Sequence, residues 1–329
     1  MDDLDLDILR EMFHGRVLKF GGFYPWVTPA QISRALGVPP STVKLRLANW
    51  RKSGFLHGIA LFPHPSLFGL GIYGLALDPE SAAGRASIAE ALKNHPTAAH
   101  VWEPETIHSF YWIGYLDATR ASMLEAERMF GRLPGVRVIG DSDDSFPLPE
   151  CSLDPSHLDW RIIRAVRARP EVPLSKIAAE LHVGFRTIAH RFARLVSSHA
   201  ILCMPRMDFR RTSRTFAMVL LVLSEDADPW ELWARVEASR PVVLPFGNWG
   251  FPEMTWPAVA KFAENNRSLT YFVSLRTPSE GVNLLRTAER WSGVVRGFLT
   301  FPVAIWDIPT PYDAPLERKI RETAHRRPV

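Results

Sequence analysis

Residues Ile32 to Gly58 read ISRALGVPPSTVKLRLANWRKSGFLHG, and residues Ile177 to Cys203 read IAAELHVGFRTIAHRFARLVSSHAILC. At an offset of 145 they align without a gap, pairing Leu36 with Leu181, Val38 with Val183, Thr42 with Thr187 and Arg46 with Arg191. An internal repeat bears on the fold before any local motif does. In the first copy Thr28-Pro29 is a helix start, with Thr as N-cap and Pro at the first helical position. That helix runs to Leu36, Gly37-Val38 make a turn, and a further helix spans about Pro40 to Lys52 before Ser53-Gly54 end it. The second copy gives helices Leu174–Leu181 and Phe185–Ser197 around a turn at His182–Gly184. Val43, Leu47 and Trp50, and likewise Ile188, Phe192 and Leu195, recur at helical spacing and face their own cores. A short strand follows each pair, at Phe55–Phe62 and Ala200–Met204. An amphipathic helix precedes each, at Asp2–Phe13 and Leu158–Val166, with Asp5 matching Asp159. Each copy is thus the pattern of a winged helix-turn-helix.

The intervening segments repeat as well. Strands are expected at Leu70–Leu77, Ala98–Glu103, Ile107–Ala118 and Val136–Gly140, with helices at Ser81–Lys93 and Arg120–Arg132. The second set runs Phe216–Leu223, Trp230–Ser239, Val242–Gly247, Leu269–Leu275, Glu280–Arg290 and Val294–Trp306. Both orders are βαββαβ, a ferredoxin-like sandwich. The fold class is therefore α+β, two winged helix-turn-helix domains (1–62 and 151–212) alternating with two sandwiches (63–150 and 213–308), then a charged tail, 309–329. The acidic, proline-containing Asp141–Pro155 reads as a linker. An insertion, FGNWGFPEMTWPAVAKFAENNR, holds a short helix near Trp256–Glu264 and the tryptophans Trp249 and Trp256. The first copy inserts the aromatic, glycine-rich Phe20–Trp26 before its second helix.

A chain of 329 residues exceeds one ordinary core. Phe216–Leu223, its longest dense apolar run, is too short to span a membrane. No secretion signal opens the chain, and Cys151 and Cys203 lack CxxC companions; a reducing, cytoplasmic setting without a zinc site is expected. Charge is segregated: residues 1–60 carry eight Lys+Arg against five Asp+Glu, and 154–214 carry twelve against five. Residues 61–153 carry six against twelve. Positive charge gathers in the two repeated units, as phosphate-facing surfaces require.

These features resemble the Lrp/AsnC family of feast/famine transcriptional regulators. MDDLDLDILREM is similar to that family's first helix, and GVPPSTVKLRLANWRKSGFLHG to its turn, recognition helix and wing. The resemblance implies a sequence-specific, non-enzymatic regulator whose partner is double-stranded DNA. It also implies dimerisation, here as an intrachain pseudo-dimer with a homodimer as the further option. The family's Gly-x-x-Asp turn does not stand in ETIHSFYWIGYLDA or NNRSLTYFVSLR, so no effector site is carried over and the small-molecule effector stays unidentified. No cofactor is implied.

The recognition helix of such a motif reads the major groove from its N-terminal residues. In the first copy these are Ser41, Thr42 and Lys44, with Arg46 a turn further; in the second they are Arg186, Thr187, His190 and Arg191, with Arg194 as a phosphate clamp. The two sets differ, so unlike half-sites are expected. The sirohaem decarboxylases, which are similar in combining a winged helix with such a sandwich, supply an enzymatic alternative. HSFYWIGY is similar to their aromatic third strand, although the preceding Arg-Asn-Tyr is absent. On that alternative His95, His100 and His108 serve the tetrapyrrole; no metal-ligand spacing links them. Phe110, Tyr111 and Trp112 alternate faces and read as sheet packing. A protein-interaction role remains for the weakly charged first copy.

Overall fold

The structure is a computed structural model; residues 2–14, 29–93, 95–104, 111–141, 148, 150–170, 172–239, 242–245, 267–307 and 310–324 are described. The insertion helix, Trp249, Trp256, His108, Phe110 and Phe20–Trp26 lie outside them. The first unit comprises α1 (Asp3–His14), α2 (Pro29–Leu36), α3 (Pro40–Ser53) and β1 (Leu56–Pro63). Pro40 opens α3 where no N–H is needed, and Gly54 closes it at φ 75°, donating to the Arg51 carbonyl. The first sandwich follows as β2 (Gly71–Pro79), α4 (Ala82–Leu92), β3 (Ala98–Pro104), β4 (Tyr111–Asp117), α5 (Ala121–Phe130) and β5 (Val136–Asp141).

The second unit comprises α6 (His157–Ala168), α7 (Leu174–Leu181), α8 (Phe185–Ser197) and β6 (Ile201–Asp208). A capping box, Ser156 with Asp159, starts α6. The position that Gly37 takes at φ 66° in the first turn is held at φ 54° by His182 in the second, a left-handed conformation that strains a residue with a Cβ. The second sandwich is β7 (Thr215–Leu223), α9 (Pro229–Ser239), β8 (Val242–Pro245), β9 (Ser268–Leu275), α10 (Pro278–Ala288) and β10 (Val294–Thr300).

The strand orders β5-β2-β4-β3 and β10-β7-β9-β8 are equivalent, so the ferredoxin-like topology stands in both halves. Each sheet covers one face with its own helices, over cores that include Leu75, Ile113 and Phe130 in the first sandwich and Val219, Val236 and Val273 in the second. The helix-free faces join a third core. It unites Ile72, Ala76 and Leu116 of the first sheet, Phe216, Met218 and Leu220 of the second, and both winged units. Fully burying side chains such as Trp160 and Phe55 there stabilises by roughly 1.5–3 kcal/mol each.

Two expectations are corrected. Val294–Trp306 is not one strand: Pro302, with no N–H to donate, follows a break, and β11 (Pro302–Asp307) leaves the second sheet. It pairs antiparallel with β3 and with β6, while β1 and β6 pair as one ribbon, so the larger sheet runs β1-β6-β11-β3-β4-β2-β5. The segment read as a charged tail forms α11 (Thr310–Ala324). Its stripe of Tyr312, Leu316 and Ile320 is buried, and it packs on α6, where Arg164 meets Glu317 at 3.2 Å. Among the described residues no helix is long and apolar enough to cross a membrane.

Candidate functional site: recognition helices and the seam between the sheets

The candidate DNA-reading residues divide into two groups. Ser41, Lys44, Arg186, Thr187 and His190 are exposed, and Thr42 is half-buried. The arginines deeper along each helix are occupied. Arg46 meets Asp2 at 2.8 Å and the buried Asp5 at 3.1 Å. At the start of α1 the Asp2 N–H donates to the Asp5 carboxylate at 2.9 Å and the Asp5 N–H donates to the Asp2 carboxylate at 3.0 Å. Asp2 lies below the usual carboxylate range, chiefly through the backbone bond from Asp5, with Arg46 adding to it.

The second copy builds the same clasp more tightly. Asp159 is fully buried and accepts from Arg191 Nη1 at 3.1 and 3.2 Å and from Arg194 Nη2 at 2.7 Å. It also accepts from the Ser156 backbone at 2.9 Å and hydroxyl at 2.7 Å. Burial alone would raise its pKa; the Ser156 hydrogen bonds and the Arg191 contact outweigh burial and hold it low. Arg46, Arg191 and Arg194 thus fasten each recognition helix to its first helix. Lys44 and Arg186 are the predicted DNA-reading cations with no ion partner among the described residues.

Of the three sandwich histidines, His95 lies on the helix side of the first sheet. Its Nδ1 accepts from the Ala98 N–H at 3.2 Å, and its ring meets Tyr115 edge-on at 5.1 Å. Burial lowers its pKa, against an opposing pull from Glu125. His100 is buried against the wing and α11, with Nε2 3.0 Å from the Tyr312 hydroxyl and its ring 4.8 Å from Phe62. His95 thus serves the helix-side core, whereas His100 touches Phe62 and Tyr312 of the shared core.

The seam holds residues that sequence reasoning passed over as packing. Tyr111 points into the helix-side core, whereas Trp112 packs against the shared core. The Trp112 indole lies on β2 and β4 over two glycines: a Cβ on Gly74 would sit 2.7 Å from its Nε1, and one on Gly114 would sit 3.0 Å from its six-membered ring. Side chains at either position would lift the indole off the sheet. On the helix-free side of the second sheet, β7, β9 and β10 carry Met218, Ser274, Phe298 and Thr300. The Ser274 and Thr300 hydroxyls are buried with no hydrogen-bond partner among the described residues. Such groups cost about 1–3 kcal/mol each; the helix-side core of the first sheet carries the same feature at the Tyr111 and Tyr115 hydroxyls.

Two winged units, zipped by their wings and joined to two ferredoxin-like sheets, define the class by architecture alone: a winged-helix and sandwich unit present twice in one chain. Among solved structures the chain is similar to the siroheme decarboxylase NirDL in complex with an iron-uroporphyrin III analogue (13% identity, 98% of both chains, TM-score 0.47). It is also similar to Escherichia coli AsnC (15% identity, 47% of this chain and 99% of that one, TM-score 0.30). The Mycobacterium tuberculosis leucine response regulatory protein LrpA matches at 17% identity over 45% of this chain and 95% of that one, with TM-score 0.27. No protein-family model and no curated protein sequence matches the chain. The expectation of a non-enzymatic protein is corrected here: two of the solved structures that it matches over 98% and 97% of the chain are structures of an enzyme. That expectation rests on the basic residues of a helix-turn-helix, and three of those arginines are ion-paired with carboxylates of their own unit.

Proposed function

We propose that the chain is a decarboxylase of planar, carboxylate-bearing tetrapyrroles, of the siroheme decarboxylase type, working as an intrachain pseudo-dimer. The observation that carries this reading is the Trp112 indole laid on Gly74 and Gly114 within the seam where the two halves meet. A flat, half-buried ring over a side-chain-free strip offers a stacking platform to a planar substrate. The apolar surroundings strip water from a carboxylate held there, which destabilises the charged ground state relative to departing carbon dioxide. In the reaction the bond between a side-chain carboxylate carbon and its methylene breaks, carbon dioxide leaves, and a proton returns to the methylene carbon.

The test is incubation with sirohaem under reducing conditions, followed by visible spectroscopy and mass analysis of the tetrapyrrole. Loss of carbon dioxide by the wild type, with Gly74→Val abolishing both the spectral shift on binding and turnover, is the expected result. A wild-type protein that leaves both spectrum and mass unchanged overturns the reading.

A second reading, DNA binding by the recognition helices, is supported by the exposure of Lys44, Arg186 and His190 and by the basic balance of residues 154–214. Gel shifts of Lys44→Ala and Arg186→Ala on genomic fragments at fixed salt test it. A base contact relaxes sequence preference, and a phosphate contact flattens the salt slope. No loss in either variant removes this reading.

A further inference from the structure

The duplication allows the two sheets to be compared strand by strand. In the first half β2 pairs with β4 from Gly71↔Asp117, and in the second β7 pairs with β9 from Thr215↔Leu275. The neighbouring edge strands then correspond through Asp78↔Arg137 and Val222↔Arg296. Arg137 and Arg296 therefore occupy equivalent edge-strand positions, each opposite the equivalent residue of the central strand. That residue differs: a buried aspartate in the first half, a valine in the second.

The consequence is electrostatic. Arg137 is neutralised, forming an ion pair with Asp78 and a second, at 3.5 Å, with Glu80. Arg296 has no carboxylate partner among the described residues; its guanidinium lies 4.7 Å above the Phe298 ring. Phe298 packs against the shared core, whereas Gly297 and Leu299 meet α10 and its side of the sheet. Alternation along the strand therefore puts Arg296, Phe298 and Thr300 on the helix-free face, ordered from the exposed edge inward. An arginine braced on an aromatic plate keeps its planar fork oriented without a protein counter-ion.

We propose that Arg296 is a substrate-anchoring residue, binding one peripheral carboxylate of the planar ligand at the mouth of the seam. This deepens the tetrapyrrole reading and rests on it. A bidentate guanidinium–carboxylate pair supplies direction as well as affinity, and of the two equivalent arginines Arg296 is the one without a carboxylate partner among the described residues. The substrate thus enters with one preferred edge toward β10.

The experiment is a Soret-band titration of full-length protein with iron uroporphyrin III, comparing wild type with Arg296→Gln, Arg296→Lys and Arg137→Gln. Arg296→Gln is expected to weaken binding about tenfold, the lower end for a charge-assisted pair at an exposed rim. Arg296→Lys recovers part of that loss, and Arg137→Gln binds like wild type. Wild-type binding should weaken with added salt more steeply than Arg296→Gln binding. Equal affinity of wild type and Arg296→Gln overturns the anchor and leaves the tetrapyrrole reading standing. A wild type that binds no iron uroporphyrin overturns both. A cooperative thermal melt and a wild-type circular dichroism spectrum for each variant establish that the substitutions leave the fold intact.

Discussion

Replacing Asp159 by Asn removes one charge and almost no volume from the hub that holds α8 against α6. The buried carboxylate takes hydrogen bonds from Arg191, Arg194 and both donors of Ser156. An Asn keeps an acceptor for the cap but leaves two guanidinium groups facing a neutral amide. Breaking a buried pair from one side costs about 3–5 kcal/mol. The arginine side chains are 31% and 45% exposed, so water recovers part of their charge. The expected loss is therefore about 2–3 kcal/mol, read from urea unfolding followed by circular dichroism. The pH dependence has a definite sign. Asp159 has a folded pKa below its unfolded value, so its contribution is fully present above about pH 4 and disappears as pH falls through the depressed folded value. The gap between wild type and variant should close on acidification. Equal stability at neutral pH, or a gap that persists undiminished in acid, refutes the hub.

Three further expectations are independent of this one. His182→Gly should stabilise by about 0.5–1 kcal/mol by relieving a left-handed residue, and Gly37→Ala should destabilise by a similar amount although nothing lies within 4 Å of the added methyl; paired thermal melts read both. Gly84→Ala places a Cβ 1.9 Å from the Gly135 carbonyl oxygen, which forces α4 off the sheet, and a loss of about 1–3 kcal/mol should appear in denaturant unfolding. Tyr312→Phe strips the buried His100 contact and should cost about 1–2 kcal/mol, seen as faster amide exchange in α11.

Helices bounded by punctuation were legible: Leu174–Leu181 and Phe185–Ser197 fall where periodicity and the intervening turn put them. Topology within each sandwich was legible too, because βαββαβ admits few arrangements. The exchange of β11 between sheets was not, since FLTFPVAIW reads as one apolar strand on either side of Thr300 and only Pro302 marks the break. The stripe Tyr312, Leu316, Ile320 was hidden by the charged residues between its members. The fate of Arg46 and Arg191 was present in the sequence as their recurrence with Asp5 and Asp159, but partners 41 and 32 residues apart declare themselves only in three dimensions. Arg296 required the strand register, because an insertion of one half displaces its match with Arg137.

The crossing of β11 also fixes an order of events during synthesis. The edge of β3 leaves the ribosome early, yet the strand that covers it is made about 200 residues later. At about 5–20 residues per second, that edge waits roughly 10–40 s for its neighbour. An unpaired edge is a template for the wrong strand, so the nascent first half must be shielded or remain unfinished until its sister is complete. For the same reason the two halves are not separable cargoes: a gene cut between them would release one fragment with a raw sheet edge and another carrying an orphaned strand.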